Sequence, residues 1–397
     1  MKAGWEARSI ASFAKTGAGG TPKKGTKAFY EGGDIPWLLS GEVANANIME
    51  AKNFITEEGL KGTSAKLFPA NSILVAMYGA TAGEAGILRF EAATNQAVCA
   101  VLPSDQHIPE YLYYYLLHAK ASLVAQAVGN AQPNISQAKI KSLEIPLPPL
   151  EEQQRIAAVL AEAFEGLAFA HAHAEANLKN AQELIEAGLG AAFSPEAAER
   201  NGWGFTDLRS LADVSYGYTT KAQSEPIGPR FLRITDIQDG IVDWDKVPYC
   251  DAPPEDYERY RVIPGDIVFA RTGATTGKSY LLTEDIEAVA ASYLIRLRLT
   301  SSALKPEYLS LFFQSDVYWK TIRAGISGST QGGFNASKLG ELVVPVPPIV
   351  KQDEVILRLK EIQMQASRLA ILFRKKLQDL DDLRQSLLQK AFAGELT

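Results

Sequence analysis

The chain has 397 residues, 46% hydrophobic and 22% charged, which is ordinary for globular protein and long enough for two or three domains. Its two cysteines, Cys99 and Cys250, lie too far apart for a disulfide framework or a zinc ribbon, and it has neither an apolar run of about 18 residues nor a signal-peptide core, so it reads as cytoplasmic with no membrane partner. The net charge of −6 is unevenly spread: +1 over residues 1–145 (13 basic, 12 acidic), −6 over 146–200 (3 and 9), −3 over 201–344 (15 and 18) and +2 over 345–397 (9 and 7), so charge neither demands nor excludes a nucleic-acid partner.

In chain order, PWLLSGEV (36–43), NSILVAMY (71–78) and ATNQAVCAVL (93–102) read as strands. PEYLYYYLLHAKASLVAQ (109–126) reads as a helix with Pro near its start. Its cluster of Tyr111, Tyr113, Tyr114 and Tyr115 could stack on bases, but such clusters are more often core. The segment LEIPLPPLEEQQRI (143–156) then leads into a long stretch without proline. Apolar or small residues recur there at Ile156, Leu160, Ala163, Leu167, Ala170 and Ala174, then Leu178, Ala181, Leu184, Gly188 and Ala192. Steps of mostly four and three mark the seam of a coiled coil.

The second half repeats this order. PRFLRITDI (229–237), GDIVFAR (265–271) and SYLIRLRL (292–299) read as strands, and PEYLSLFFQSDVYWKTIR (306–323) as a helix. LVVPVPPIVKQDEV (342–355) echoes the earlier proline-rich segment at an offset of 199. A second seam follows at Val355, Leu359, Ile362, Ala366, Leu369 and Phe373, continuing through Leu377, Leu380, Leu383, Leu387 and Ala391. RSIA (8–11) returns as RSLA (209–212), and YGATAG (78–83) as TGATTG (272–277). The chain is therefore two copies of one unit.

The expected fold class is α+β. Two similar mixed α/β domains, residues 1–145 and 201–344, are each followed by a long helix, 146–200 and 345–397. Each helix spans roughly 40 residues, about 60 Å, and needs a partner along its stripe. Connectivity favours pairing the two as an antiparallel coiled coil with an internal pseudo-two-fold repeat.

ARTGATTGKSY (270–280) resembles a phosphate loop with one residue too few between its glycines. The first copy has Glu84 where the second has Lys278, so the part in common is a glycine and threonine turn after an apolar strand. A strand-end turn is the reading preferred over a nucleotide site. His171 and His173 are two apart on a helix and do not share a face for a metal, so no metal site is expected.

The repeated P-x-P-P junctions, GGTPKKGTKAFYEGGDIPWL (19–38) and AMYGATAG (76–83) resemble the specificity subunit of type I restriction-modification systems over essentially the whole chain. The second copy departs from the pattern, with Lys351 in place of Glu152 and Tyr218-Thr219-Thr220 in place of Gly20-Thr21-Pro22. The resemblance implies a non-catalytic subunit. Each target-recognition domain would read one half of a split site in double-stranded DNA, and the helices would set the spacing. Two modification (methyltransferase) subunits would dock and methylate adenine with S-adenosylmethionine. Two restriction (motor-nuclease) subunits can join, using ATP and Mg. This chain itself would carry no cofactor. Alternatives are a specificity subunit of a solitary methylase or phage-defence system without nuclease, a P-loop NTPase, and a coiled-coil adaptor.

Phosphate contacts call for Lys and Arg on loops, and base contacts for Arg, Lys, Asn, Gln, Ser or Thr. The candidates in the first half are Lys23, Lys24, Lys27, Tyr78, Thr81, Asn95 and Gln96. In the second half they are Lys221, Arg271, Thr275, Thr276, Lys278, Ser329, Thr330, Gln331 and Asn335.

Overall fold

The computed structural model describes residues 2, 4–126, 134–238, 240–327 and 334–396. It divides into two compact units, Met1–Ala174 with Lys375–Thr397, and Glu175–Arg374. Each unit thus holds one globular domain and part of each long helix.

The first unit is built on a five-stranded sheet in the order Thr16–Ala18, Val98–Val101, Ile73–Ala76, Ala85–Leu88, Asn47–Ile48. The central strand Ile73–Ala76 is apolar at every position because both of its faces are covered. Strand side chains alternate between faces. Ile73 and Val75, with Cys99 and Val101, join the core that holds Ile10, Tyr111 and Leu116. Leu74 and Ala76, with Val98 and Ala100, join a second core with Leu38, Val43 and Phe68. The helix Pro109–Ala125 begins with proline at its first turn, where no amide donor is needed, and buries Tyr111, Tyr113 and Tyr114 against the first core. Tyr111 donates its hydroxyl to the Pro146 carbonyl at 2.6 Å. These tyrosines are core and not a stacking platform.

The second unit repeats the plan. Ala212–Tyr216, Leu294–Leu299, Ile267–Ala270 and Ser279–Leu281 form its main sheet in that order. Ile267, Phe269, Ile295 and Leu297 face one core, and Val268, Ala270 and Leu294 face the other. The segment expected as one helix over 306–323 is two, Pro306–Phe312 and Asp316–Ser327. Ser315 makes the break: its hydroxyl donates to the Phe312 carbonyl and accepts from the Tyr318 amide. The arginines of the strand LIRLRL serve structure. Arg296 donates to the carbonyls of Arg259 and Arg261, and Arg298 pairs with Asp266 at 2.6 Å.

The two long helices run Leu150–Phe193 and Ile349–Ala393. In the first unit, Ile156 and Leu160 share a core with Leu388, Ala391 and Phe392, and the Arg384 guanidinium lies 5.0 Å from the centre of the Phe164 ring. In the second unit, a Cβ at Gly188 would meet Ile362 at 3.1 Å and Leu359 at 3.2 Å. Within each unit the two helix segments are therefore antiparallel neighbours.

Leu167, Leu178, Val355, Ile362, Phe373, Leu377, Leu380 and Leu387 are half-buried, while Leu359 is fully buried. The expected seam fails at three positions: Leu184, Leu369 and Leu383 are 41%, 39% and 47% exposed. One place along from two of them, Ile185 and Ala370 turn inward, and Leu189 and Leu388 are buried one place past Gly188 and Leu387, while Arg384, next to Leu383, stays exposed. A straight helix drifts about 20° per heptad against a strict seven-residue repeat, so a stripe counted in sevens slides off the contact line.

Candidate nucleic-acid interface

At one edge of each main sheet, four loops meet. In the first unit, the Gly19 amide donates to the Val98 carbonyl at 3.3 Å and the Gly20 amide to the Thr94 carbonyl at 2.9 Å. A Cβ at Gly19 would fall 2.1 Å from the Thr94 carbonyl oxygen, so this approach requires glycine. The Met77 amide donates to the Ala97 carbonyl, and the Ile135 amide to the Met77 carbonyl, both at 2.8 Å. The segments 19–21, 77–81, 94–97 and 134–136 are thereby bound into one surface.

The second unit has the same network. The Gly217 amide donates to the Leu294 carbonyl at 3.0 Å and the Tyr218 amide to the Ala290 carbonyl at 2.7 Å. The Arg271 amide donates to the Tyr293 carbonyl at 3.2 Å, and the Phe334 amide to the Arg271 carbonyl at 3.0 Å. Tyr218 also donates to the Asp256 carboxylate at 3.1 Å, and desolvation with that neighbour pushes its pKa up. Positions Gly19 and Gly217, Met77 and Arg271, and Ala97 and Tyr293 therefore correspond.

The glycine turns are tight connections between paired strands. Gly79 and Gly273 have φ of 75° and 74°, in the left-handed region open to glycine. The turn Gly273–Thr275 is followed by the strand Ser279–Leu281, antiparallel to Ile267–Ala270. A phosphate loop must open a helix whose N-terminal amides cradle the phosphate, and here a strand stands in its place. The nucleotide-site reading is therefore dropped.

The candidate residues sort by their contacts. Lys23, Lys24, Lys221 and Lys278 are exposed and make no ion pair among the described residues. Lys27 is exposed and pairs with Glu31 at 3.3 Å. Tyr78 is 39% exposed beside its bridge to Asn134. The Gln96 side chain is hydrogen-bonded to the Thr21 hydroxyl, which ties the loop 19–22 to the loop 94–97. Thr81 and Thr275 are half-buried at the two turns. Three candidates do structural work. Asn95 accepts from the Ala97 amide at 3.1 Å, and Asn335 caps the helix Ala336–Gly340 by accepting from the Lys338 amide at 2.9 Å. Thr276 is buried, with its hydroxyl donated to the Gly273 carbonyl at 2.8 Å. Ser329, Thr330 and Gln331 lie outside the described residues.

The sequence reading missed Thr21, Tyr216 and Tyr293. Thr21 stood in the quoted GGTP run. Tyr293, 61% exposed, lay near the start of SYLIRLRL, read only as a strand, and Tyr216, 42% exposed, lay in a stretch given no element. Among the described residues no cluster of three His, Cys, Asp or Glu could hold a metal, and no helix is long and apolar enough to cross a membrane.

Outside this edge, the second long helix carries apolar residues on its outer face at strict heptad spacing. Val350, Leu357, Met364 and Ile371 are 69%, 70%, 49% and 66% exposed. At the corresponding positions the first helix has Glu151, Ala158, Glu165 and Ala172.

Two mixed domains of one design, each joined to its long helix by the same proline-rich strand, define a duplicated recognition module. The family described as the type I restriction modification DNA specificity domain matches residues 2–176 and 202–365, and the chain belongs to that family. It is 26% identical to the EcoKI specificity subunit of Escherichia coli strain K12, covering 99% of this chain and 89% of that one. It is 24% identical to the MjaIX specificity subunit of Methanocaldococcus jannaschii, covering 99% and 93%. Its fold matches a chain from a structural study of complex assembly and conformational transition in a type I R-M system, with TM-score 0.81, 20% identity, and coverage of 100% of this chain and 99% of that one. It also matches the HsdS subunit of Thermoanaerobacter tengcongensis, with TM-score 0.64, 18% identity and coverage of 100% and 98%. The chain is a type I specificity subunit with two repeated DNA-recognition domains.

Proposed function

We propose that each unit reads one half of a split target in double-stranded DNA through its four-loop edge, and that the long helices set the distance between the halves. The observation that carries this reading is the repetition of the edge. The same backbone hydrogen bonds gather the same four loops in both units, while the side chains set on them differ: exposed Tyr78 and Gln96 in one, half-buried Arg271 and exposed Tyr293 in the other. A conserved frame with divergent tips suits two readers of different sequences. Lys23, Lys24, Lys221 and Lys278 would contact phosphates, which fixes position without reading sequence.

The chain supplies recognition and no chemistry of its own. Adenine methylation with S-adenosylmethionine, and ATP- and Mg-dependent translocation and cleavage, belong to two modification subunits and, in a full system, two restriction subunits. The apolar heptad stripe Val350, Leu357, Met364 and Ile371 supports docking of a partner helix. The relatives' names, and the complex assembly described for the similar structure, support the same reading.

Replacing residues 1–140 with the matching domain of a relative tests it. The hybrid is expected to methylate a motif changed in one half and intact in the other. A hybrid that altered both halves together would overturn the two-reader arrangement.

A further inference from the structure

We propose that Arg271 is a guanine-reading residue of the second unit and that Tyr216 is the positioning residue that aims it, a device the first unit lacks. The proposal rests on the reading of the four-loop edge as a DNA interface.

Arg271 follows the strand Ile267–Ala270 and opens the glycine turn. Its backbone is fixed on both sides, by the amide bond to Tyr293 and the carbonyl bond from Phe334. Its guanidinium carbon lies 4.9 Å from the centre of the Tyr216 ring. Tyr216 is itself held, its hydroxyl accepting from the Ala336 amide at 3.3 Å. The guanidinium makes no hydrogen bond or ion pair among the described residues, and its Nε is buried without a partner. Arginines in folded chains normally spend their donors on carboxylates or carbonyls, as Arg298 of the same sheet does with both Nε and Nη2 on Asp266. A ring face attracts the cation without consuming its donors. Arg271 is therefore held in place with its two terminal amino groups uncommitted among the described residues, at an edge where nearby loops carry Lys221 and Lys278.

The planar fork of a guanidinium matches the O6 and N7 acceptors of guanine in the major groove. A phosphate needs only a positive charge and tolerates a mobile one, as on the exposed lysines, whereas base reading gains from a fixed fork. The first unit cannot use this device. Met77 stands where Arg271 does and is buried, and Ala18 stands where Tyr216 does. The two half-sites are thus read by different chemistry at this position, and only the half read by Glu175–Arg374 requires a guanine there.

The test is selection of bound sequences from a random duplex library by the full chain, purified with modification subunits where these co-purify. The wild-type chain is expected to enrich a bipartite motif with one guanine that depends on Arg271. Arg271→Ala should relax that single position, lowering discrimination roughly 5- to 150-fold, the span of one bidentate contact, and leave the other half-site unchanged. Tyr216→Leu should blur the same position while Tyr216→Phe, which keeps the ring, retains it. A purely structural tyrosine would instead lower binding to all sequences alike. Equal weakening across all sequences in Arg271→Ala would overturn the assignment and make Arg271 a phosphate contact, as would an unchanged motif. A wild-type chain that is folded by circular dichroism and enriches no motif would overturn the DNA-reading edge itself, and this assignment with it.

Discussion

Gln153 and Gln352 make the same three hydrogen bonds, each within its own unit. Gln153 Nε2 donates to the carbonyls of Pro148 and Gln106 at 2.8 and 3.1 Å, and its Oε1 accepts from the Ile108 amide at 2.9 Å. Gln352 Nε2 donates to the carbonyls of Pro347 and Ala303, both at 2.7–2.8 Å, and its Oε1 accepts from the Lys305 amide at 2.8 Å. Both side chains are buried, 1% and 0% exposed. Each glutamine binds the first turn of a long helix to the loop that precedes the PEYL helix, and so fixes a recognition domain to its helix.

Truncating either clamp removes three hydrogen bonds, one buried and two part-buried. At a net worth of about 0.5–1.5 kcal/mol for each hydrogen bond lost, Gln153→Ala or Gln352→Ala should lower the stability of its own unit by about 2–4 kcal/mol. Urea unfolding followed by circular dichroism measures this. A loss under about 0.5 kcal/mol, within the ordinary range of surface substitutions, would show that the clamp is not needed.

How much of this could be read in the sequence depended on how local the cause was. The central strands were legible because Ile73–Ala76 and Ile267–Ala270 are covered on both faces and so read as unbroken apolar runs. The motif around Gln153 and Gln352 was visible, but its role was not, because the partners lie 45–49 residues earlier in the chain. The break at Ser315 carries no glycine or proline to announce it. At the four-loop edge, Asn95 and Asn335 look like binding residues until their bonds to backbone amides are seen, since a polar loop residue has the same sequence signature in either role. Tyr216 was overlooked because pairing an arginine with a ring 55 positions away needs the fold.

His107 gives the first unit a pH response. It is 3% exposed, its ring centre is 5.5 Å from that of Phe13, and burial pushes its pKa down to about 4. The unfolded chain takes up a proton near pH 6.5 that the folded unit refuses, so the stability is full above that pH and falls as pH drops toward 4. At pH 5 the loss relative to pH 7 should be about 2 kcal/mol from this group. Urea unfolding of wild type and His107→Gln at both pH values checks it. The variant should lack this part of the pH dependence, and an identical slope in both would show that His107 titrates normally.

Binding to DNA should fall steeply with salt, because cationic side chains displace counterions from phosphates. The slope of log K against log salt should be about −0.9 for each phosphate contacted. Lys24→Ala should flatten the slope by about one contact and weaken all sequences equally. Titrations at several salt concentrations on two unrelated duplexes measure both effects. A sequence-dependent loss would make Lys24 a base reader instead.

The long helices should act as the ruler between half-sites. The contacts of the first unit include Phe164 with Arg384, and those of the second include Gly188 with Ile362. Seven residues inserted between Phe164 and Gly188 on the first helix, and seven between Ile362 and Arg384 on the second, leave both sets of contacts intact. A whole heptad keeps the apolar stripe close to its original direction, with a drift of about 20°. The pair lengthens by about 10 Å at 1.5 Å per residue. DNA rises about 3.4 Å per base pair, so a pair lying along the DNA axis would widen the unread spacer by up to about three base pairs, and a tilted pair by fewer. Some activity should be lost, because the second domain meets a rotated groove. The methylated motif of the variant, sequenced from genomic DNA, gives the spacer directly. An active variant with its original spacer would mean that the partner subunits, and not the helices, set the distance.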